Sequence, residues 1–510
     1  MNLASDSYVL AVSILVAVYA AVILFFVVRG ALRIKSMQDY AVGNVKFSPV
    51  AVGLALAASL TSAATFIINP GFIGLYGLSG VFSFGVVMPL AIFGSLIIFT
   101  KGFRKHGASI KATTMAQWMG NMYGSRAYGL FFAVLSLLLI TFIVLICVGL
   151  TQVLSQALNA EPIYVLAVII AFIFGYMMFG GANSMVYTNA IQAVLMAIVA
   201  VILLTSGYDH FSEGVSGFLA KLEAIDPNLV KSTNPNSFLF RDYFEIIFCQ
   251  AVIGIAIVCQ PHVITKSLLL KSDKDVNRYL GVGISVLVLF FLVVFVGLYA
   301  RIAFPDMQAN GEALPMDGLV SAYVVSEFPV YVGLVVVLGL LSAGLSTLEG
   351  LIQSLSSTIT SDLIRPLAGK KLYPEGKENR EMLVNKLVIV VLAVASFFFS
   401  RQQLLHPNLS VGIFAQNGVY AYFSAAFVPV LFGMFFRQAR LTTVWLASLV
   451  ALVVHFGVYY GNITPYMQGP VNNPAIASTI ALLSSVGVGM LRYYLMDRPQ
   501  AQKQLKTTHG

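Results

Sequence analysis

The sequence predicts an all-α membrane protein with thirteen transmembrane helices, and three observations lead to this fold class. Apolar residues make up 58% of the 510 residues and charged residues only 10%, whereas soluble domains usually carry about 25% charged residues. Long apolar stretches recur from residue 8 to residue 495, and the basic residues gather in alternate gaps between them. We therefore expect residues 1–510 to form a single membrane domain.

A helix needs about 20 apolar residues to cross the hydrocarbon core of a bilayer. On that criterion the chain has thirteen spans, which we name span 1 to span 13 in chain order. Their limits are 8–29, 48–78, 81–101, 127–157, 163–180, 184–206, 243–265, 279–303, 328–361, 383–400, 409–436, 441–460 and 474–495.

The distribution of Lys and Arg predicts the orientation, because cytoplasmic loops carry an excess of both residues. Of the 30 basic residues, 25 follow odd-numbered spans; the other five are Lys221, Lys231, Arg241, Arg301 and Arg401. The N-terminus and the 208–242 loop are therefore expected outside, and the 365–386 loop and the C-terminus inside. Because the net charge of +9 belongs to this topology signal, no nucleic-acid partner is expected.

Spans 2 and 7 are both interrupted by polar residues and helix breakers. Span 2 carries Ser59, Thr61, Ser62 and Thr65 ahead of Asn69-Pro70-Gly71. Span 7 carries Gln250 and Gly254 ahead of Gln260-Pro261-His262. Paired breaks in two halves of a chain are typical of a binding site near the bilayer midplane, where a cavity meets the freed backbone groups. Two ordinary proline kinks are the alternative.

The two interrupted spans are five helices apart, so spans 2–6 and spans 7–11 run through the membrane in opposite directions. This spacing predicts an inverted repeat of five plus five helices, with a first repeat at 48–206 and a second at 243–436. An extra first helix at 8–29, two C-terminal helices at 441–495 and a short cytoplasmic tail at 496–510 complete the expected organisation.

Span 9 carries a polar stripe that cannot face lipid. Its members recur every three or four residues and so share one helix face: Ser342, Ser346, Glu349, Gln353, Ser356 and Thr360. Carboxylates inside a membrane pair, bind a cation or carry a proton. Since the hydroxyls of Ser346 and Thr347 lie close to Glu349, the pattern predicts a cation site. A protonated Glu349 bonded to a neighbouring helix is the alternative.

Several motifs, taken in this order, make the chain similar to the sodium:solute symporter family. They are Ser59–Phe66 with Asn69-Pro70-Gly71, Gly180-Gly181 with Tyr187–Gln192, Gln260-Pro261-His262, and Ser342–Thr347 with Ser361–Leu363. The resemblance covers residues 8–495 and is nearest to the bacterial organic-acid, pantothenate and proline branch. It implies a leucine-transporter-type fold in the plasma (inner) membrane and sodium-driven uptake of a small solute by alternating access.

The resemblance also implies a sodium site between spans 2 and 9. Its ligands would be the carbonyls of Ala58, Thr61 and Ala343 and the hydroxyls of Ser346 and Thr347. Many family members have an aspartate of a second cation site at the position of Asn189, whereas this chain has Glu349 at one of the serine positions of that site. We expect the charge to have moved from Asn189 to Glu349, which leaves coupling to a second sodium or to a proton open.

The solute site differs from that of the family's proline carriers, whose acidic and aromatic positions correspond here to Leu60, Ala64, Ile253 and Ile257. Proline is therefore not expected, and a carboxylate-bearing solute such as a monocarboxylate or pantothenate is. The expected solute-binding residues are Ser62, Thr65, Gln250 and Gly254. His262, close to Lys266, is expected to be structural at the inner face, with a place on the solute path as its alternative.

Three rival functions are weighed against a sodium symporter. A proton-coupled symporter would share the same fold, and a channel or a solute sensor would not couple transport to an ion gradient. A membrane enzyme is not expected, because the sequence has no Ser/His/Asp, paired-carboxylate or metal constellation.

Overall fold

The computed structural model is mostly helical. It describes residues 4–499 apart from 33, 44–46, 111, 271, 373–377, 407–409 and 437. Within that part of the chain, the strands are limited to a short antiparallel hairpin of Gln308–Ala309 and Glu312–Ala313. Helices suit a bilayer because they satisfy their backbone hydrogen bonds internally.

Ten helices of the described residues are long and apolar enough to cross a membrane, and one bent pair makes an eleventh span. The ten are Asp6–Ala31, Leu78–Lys105, Arg126–Leu158, Ala182–Phe211, Lys274–Ala303, Val330–Gly369, Arg380–Leu405, Val411–Phe435, Leu441–Gly461 and Pro474–Asp497, and the bent pair is Pro49–Leu60 with Ala64–Tyr76. Two shorter apolar helices, Pro162–Met177 and Phe244–Cys259, coincide with spans 5 and 7. The total of thirteen spans depends on these two and stays a prediction.

The helix ends follow local sequence signals. Pro49, Pro162 and Pro474 each lie in the first turn of a helix, where the missing N–H has no intrahelical partner to lose. Asn159 and Asn462 follow the ends of helices with φ of 47° and 50°, the left-handed conformation that asparagine tolerates better than most residues. These signals set the lengths of the helices in spans 2, 4, 5, 12 and 13.

Span 2 breaks in its hydroxyl-rich segment rather than at the Asn-Pro-Gly motif. The helix Pro49–Leu60 ends where Thr61 becomes extended, and the chain resumes as a helix at Ala64 after a bend of 53°. Ser62 starts the second half, because its hydroxyl accepts the N–H of Ala64 at 3.1 Å. Pro70 lies in the first turn of the helix Asn69–Tyr76, a position that tolerates proline.

Span 7 breaks at Gln260, as its sequence predicts. Gln260 is extended, with φ of −67° and ψ of 136°, and the short helix Pro261–Ile264 follows it. A residue that precedes proline avoids the α-helical region because the proline ring clashes with it. Both spans that the sequence singles out are therefore interrupted.

The helices pack in matching pairs when span n is compared with span n+5. Span 2 packs against span 8, as its counterpart span 7 packs against span 3. Span 6 packs against span 9, as span 11 packs against span 4. Span 4 packs against span 10, as span 9 packs against span 5. Span 1 lies against spans 4, 6 and 9, and spans 12 and 13 pack on each other and on span 11. The two breaks thus lie within one helical bundle.

Candidate functional site

A cavity lies beside the breaks of spans 2 and 7; we call it the central cavity. Its polar lining consists of Ser62, Thr65, Asn69, Gln260, His262, Gln416 and Tyr420. The remaining wall is apolar, with aromatic side chains such as Phe84, Phe142 and Phe291. No Asp, Glu, Lys or Arg lines it among the residues that the structure describes. The cavity therefore offers hydrogen bonds and apolar contact without a charged side chain.

Two of the four expected solute-binding residues line the central cavity, Ser62 and Thr65, while Gln250 and Gly254 do not. A Cβ atom at Gly254 would lie 2.7 Å from the Cβ of Ala91, so Gly254 serves the packing of span 7 on span 3. Gln416 and Tyr420 of span 11 also line the central cavity, and their spacing of four residues, which puts both on one helix face, is the signal that could have identified them.

The positions that distinguish this chain from proline carriers fall largely on the cavity wall. Leu60, Ala64 and Ile257 line the central cavity, and Ile253 does not. His262 also lines it. The side chain expected to be structural therefore also borders the central cavity.

Carbonyl and hydroxyl oxygens cluster where span 2 meets span 9. The Ser346 hydroxyl donates to the carbonyls of Ala58 at 2.8 Å and Ala343 at 3.1 Å. The Thr347 hydroxyl donates to the carbonyls of Ala58 at 3.3 Å and Ser59 at 3.2 Å. Four of the five residues expected around sodium are thus in direct contact. Thr61, the fifth, ends the same helix half, and its hydroxyl donates to the Ala57 carbonyl at 2.6 Å.

The chemistry of this cluster suits a small hard cation. All its atoms are oxygens, the ligand type that such ions prefer. The Ala58 and Ser59 carbonyls also belong to the last turn of the helix Pro49–Leu60, where the helix dipole concentrates partial negative charge. Ser346 and Thr347 are fully buried, so water does not compete strongly for these oxygens.

Glu349 is buried and accepts hydrogen bonds from two other helices. Tyr176 of span 5 donates its hydroxyl to Oε1 at 2.6 Å, and Thr188 of span 6 donates to Oε2 at 3.0 Å. Each carboxyl oxygen therefore has a donor, an arrangement that stabilises an ionised carboxylate. The stripe on span 9 identified Glu349 from the sequence, but no pattern identified either partner.

Asn189 connects the Glu349 side of the bundle to the oxygen cluster. Its Nδ2 atom donates to the hydroxyl of Ser59 at 3.2 Å and to the carbonyl of Ser346 at 3.3 Å. Its side chain is fully buried, and Oδ1 has no hydrogen-bond partner among the described residues. A buried oxygen without a donor is unusual in a folded protein. Asn189 therefore places an available acceptor oxygen beside Ser346, next in sequence to the Glu349 partner Thr188.

Comparison with known proteins identifies the group to which these features belong. The model of the sodium:solute symporter family matches residues 40–450. The chain is 25% identical over 454 residues to the sodium/pantothenate symporter of Escherichia coli K12, covering 88% of this chain and 89% of that protein. It is 22% identical over 464 residues to the sodium/sialic acid symporter SiaT of Proteus mirabilis, covering 87% and 88%.

The fold has a close counterpart among solved structures. A Na⁺-coupled sialic acid symporter, solved in a substrate-bound, outward-open state, superposes with a TM-score of 0.77 at 19% identity. The match covers 95% of this chain and 98% of that one. The two proteins therefore share one fold over almost their whole length.

Proposed function

Because the chain belongs to the sodium:solute symporter family, we propose that it imports a small carboxylate-bearing solute together with sodium by alternating access. One observation carries the proposal. The break of span 2 has an oxygen cluster at the end of its first half and a polar, uncharged cavity at the start of its second half. A cation and a solute bound on the two sides of one break would stabilise the same conformation of span 2, which is what coupling requires.

Family membership also defines the class of protein and its location. The matched family and the relatives named above are transporters, so the chain is a transporter and not an enzyme. Its apolar helices make it a multi-pass protein of the plasma membrane.

The proposed sodium ligands are the carbonyls of Ala58, Thr61 and Ala343 and the hydroxyls of Ser346 and Thr347. The direct contacts among Ala58, Ala343, Ser346 and Thr347 support this set. Sodium would replace the hydroxyl hydrogens as the partner of the carbonyl oxygens. The hydroxyls would then turn their lone pairs to the ion.

A carboxylate suits the central cavity for two reasons. The second half of span 2 begins at Ala64, which lines the cavity, and the start of a helix carries partial positive charge. In addition, no described acidic side chain lines the cavity to repel an anion. The relatives named for pantothenate and sialic acid, both carboxylic acids, agree with this solute class. Ser62 and Thr65 are the proposed polar contacts, joined by Asn69, Gln260 and Tyr420.

A second coupled cation is proposed at Glu349 and Asn189. The contacts of Asn189 with Ser59 and Ser346 bring this second site next to the first. A proton on Glu349 is the alternative, favoured by the burial of the carboxyl group. The two versions differ in the ion that moves with the solute.

Contacts at the ends of the spans support the proposed alternation of the spans, and the distribution of Lys and Arg supports an N-terminus outside. Bonds on the proposed cytoplasmic side join Tyr40 with Met177, Thr114 with Asp362, and Arg126 with Pro366. Bonds on the other side join Ala4 with Asn159, Ser206 with Tyr323, and Asp317 with Val411. The matched helix pairs likewise support an inverted repeat of 48–206 and 243–436.

Cysteine labelling tests this topology. Ser216 and Gln438 are exposed, in a proposed outer and a proposed inner loop; the 365–386 loop is less suitable, since 373–377 lie outside the described residues. Ser216→Cys should react with an impermeant reagent in right-side-out vesicles, and Gln438→Cys only after permeabilisation. The reverse pattern would overturn the orientation.

Uptake into proteoliposomes tests the function. Pantothenate, acetate, lactate and sialic acid should be supplied separately, with an inward sodium gradient and with potassium in its place. We expect sodium-dependent accumulation of at least one of these acids. Movement down its own gradient without accumulation would indicate a channel, and binding without uptake would indicate a sensor.

The sodium site is tested with two variants and a matched control. Ser346→Ala and Thr347→Ala each remove a proposed ligand, so the sodium concentration for half-maximal uptake should rise about tenfold, equivalent to about 1.4 kcal/mol. Ser485→Ala removes a similar hydroxyl-to-carbonyl bond between helices, 2.8 Å to Ala447, outside the cluster. Sodium dependence equal to that of Ser485→Ala in both variants would refute the assignment.

A further inference from the structure

A second cavity adjoins the central cavity; we call it the inner cavity. Its lining comes mainly from segments that are proposed to be cytoplasmic or that end there, and it includes His262, Lys266, Ser354 and Ser357. His262 lines both cavities. Its side chain therefore stands between the central cavity and the inner face.

Lys266 gives the inner cavity a positive charge that has no ion-pair partner. The residue is only 3% exposed, and no ion pair involves it among the described residues. No acidic side chain lines the inner cavity in that part of the chain either. Glu349 attracts Lys266 from a distance, but its carboxylate is already bonded to Tyr176 and Thr188. A buried ammonium without a partner in direct contact is costly, so it favours the arrival of an anion.

Several polar groups of the inner cavity are already occupied within the protein. Thr265 donates to the Pro261 carbonyl, and Gln353 donates to the carbonyls of Tyr40 and Ala41. Thr114 donates to the carboxylate of Asp362. These bonds build the walls of the cavity and remove their donors from ligand binding.

Two buried groups of the same lining have no partner. Nδ1 of His262 and Oγ of Ser357 make no hydrogen bond to any described residue, and their residues are 4% and 2% exposed. Either atom can donate, the histidine nitrogen in the tautomer that carries its proton there. The inner cavity thus combines an unpaired cation with two unused donors.

We propose that the inner cavity is an anion site that receives the carboxylate of the solute after it passes His262, with Lys266 as counter-charge and Ser357 and His262 as donors. The identity of the solute rests on the proposed function, whereas the preference for anions rests on the lining alone. Because the central cavity has no charged side chain, an anion that leaves it gains an attractive charge at Lys266. The site would thereby favour release toward the cytoplasm.

Charge-selective labelling tests the preference for anions without any transported solute. Ser354 lines the inner cavity and is half-buried, so Ser354→Cys provides a reporter once the buried Cys147, Cys249 and Cys259 are replaced by alanine. The probes are the anionic 2-sulfonatoethyl and the cationic 2-(trimethylammonium)ethyl methanethiosulfonates, applied to the cytoplasmic face. Lys266→Gln should lower the ratio of the anionic to the cationic rate about fivefold to tenfold, as expected for losing one nearby charge.

The controls separate a local effect from a general one. Lys274→Gln removes the same charge from an exposed residue outside the lining, and should leave the ratio within about twofold, because solvent screens it. Lys266→Arg should keep the anionic preference. Lys266→Met, apolar and similar in shape to lysine, repeats the test if the Gln variant folds poorly. An unchanged ratio in the folded Gln or Met variant would refute the proposal.

A second arm connects the site to the solute. Pantothenate on the cytoplasmic side should slow the labelling of Ser354→Cys, while its uncharged amide should not, and Lys266→Gln should abolish the protection. If labelling prefers the anionic reagent but no tested acid protects or is transported, the inner anion site stands and the proposed solute class fails. If an acid is transported with sodium but Lys266→Gln changes neither the ratio nor the protection, the inner site fails and the proposed function stands.

Discussion

The hydroxyl of Tyr176 donates a hydrogen bond of 2.6 Å to the carboxylate of Glu349, and this bond joins span 5 to span 9 inside the membrane. A carboxylate in that setting is costly unless it is bonded or paired. Thr188 supplies the second donor from span 6. Three helices therefore meet at one acidic group, and any change in its charge acts on the packing of all three.

The first prediction concerns the charge of Glu349. Glu349→Gln removes the charge at nearly constant shape, so a cation site there predicts lower net uptake or the loss of one coupled charge. Tyr176→Phe removes one hydrogen bond to the carboxylate, which contributes about 1.5–3 kcal/mol. It should raise the sodium concentration for half-maximal uptake less than Glu349→Gln does. Net uptake, solute exchange and charge moved per solute should be measured in each variant.

The control and the alternatives use the same measurements. Tyr40→Phe removes a buried hydroxyl bonded to the Met177 carbonyl and should not change the stoichiometry. A proton carrier at Glu349 predicts that the Gln variant loses pH-dependent net uptake and keeps exchange. Full net uptake with unaltered stoichiometry in Glu349→Gln would end the cation-site proposal.

The sequence predicts much of this site because its signals are local. Ser346 belongs to a stripe whose period is that of a helix, and Thr347 lies beside it. Gln260 precedes a proline, so the polar face of span 9 and the break of span 7 both follow from the sequence. The position of the break in span 2 does not follow from the sequence in this way. Pro70 lies in the first turn of a helix and does not interrupt it, and the chain bends instead in the hydroxyl-rich segment at Thr61.

Partners across helices are the part that sequence reasoning could not supply. Periodicity identifies the face of span 9 that carries Glu349, but it does not say that Tyr176 lies opposite. For the same reason Gln250 was expected at the solute, whereas Gln416 and Tyr420 of span 11 line the central cavity. Such contacts depend on how the bundle packs, which in a membrane is set by shape rather than by the separation of apolar and polar residues.

The second prediction concerns pH at the outer end of span 11. Asp317 is buried in the loop between spans 8 and 9 and accepts hydrogen bonds from the Ser410 hydroxyl at 2.6 Å and the Val411 N–H at 2.9 Å. Burial raises the pKa of Asp317 from 3.8 to about 6, although both bonds oppose the rise. Because the pKa is higher when the loop is packed than when it is exposed, protonation favours the packed loop.

Acidification should therefore lower the fraction of molecules in which this loop is open. When the pH is lowered from about 7.5 to about 5.5, the equilibrium constant for opening should fall about fourfold, if the exposed carboxyl has its ordinary pKa. Hydrogen–deuterium exchange of 316–327, corrected for the intrinsic effect of pH, measures it. Asp317→Asn, permanently neutral, should show slow exchange without this pH dependence, and a variant as pH-dependent as the parent would exclude Asp317 as the cause.

The third prediction concerns a buried ion pair at the start of span 7. Arg241 and Glu245 approach to 2.5 Å, and the carboxylate of Glu245 also accepts from Asn473 at 2.8 Å. The Glu245 side chain is fully buried, whereas that of Arg241 is 21% exposed. Glu245→Gln leaves the arginine without its counter-charge, so it should destabilise the protein by about 3 kcal/mol. The apparent melting temperature in detergent measures the loss.

A second ion pair provides the control for that measurement. Arg365 and Glu381 lie 3.3 Å apart, with the arginine side chain 59% exposed. Solvent screens such a pair, so Glu381→Gln should cost no more than about 1 kcal/mol. Equal shifts in melting temperature for the two variants would contradict a special contribution from the buried pair.

The last prediction tests whether the charge of the second cation site has moved between helices. Asn189 lies on span 6 beside Ser59 and Ser346, and Glu349 accepts from Thr188, the neighbour of Asn189 in sequence. If both positions border one site, an acid at either should serve the same cation. Glu349→Ser should lose much of the coupled uptake, and adding Asn189→Asp should restore part of it. Full recovery is not expected, because the hydroxyls of Tyr176 and Thr188 are bonded to Glu349.

The single variants determine what a recovery means. Asn189→Asp alone places two acids close together. Repulsion between their charges should favour protonation of one of them, and uptake should become more sensitive to pH. Uptake, the sodium concentration for half-maximal rate, and charge per solute should be compared in the parent, both single variants and the double variant. Recovery of charge coupling only in the double variant supports a shared site. If the double variant is no better than Glu349→Ser, while both remain folded and bind the solute, the two positions do not serve the same cation.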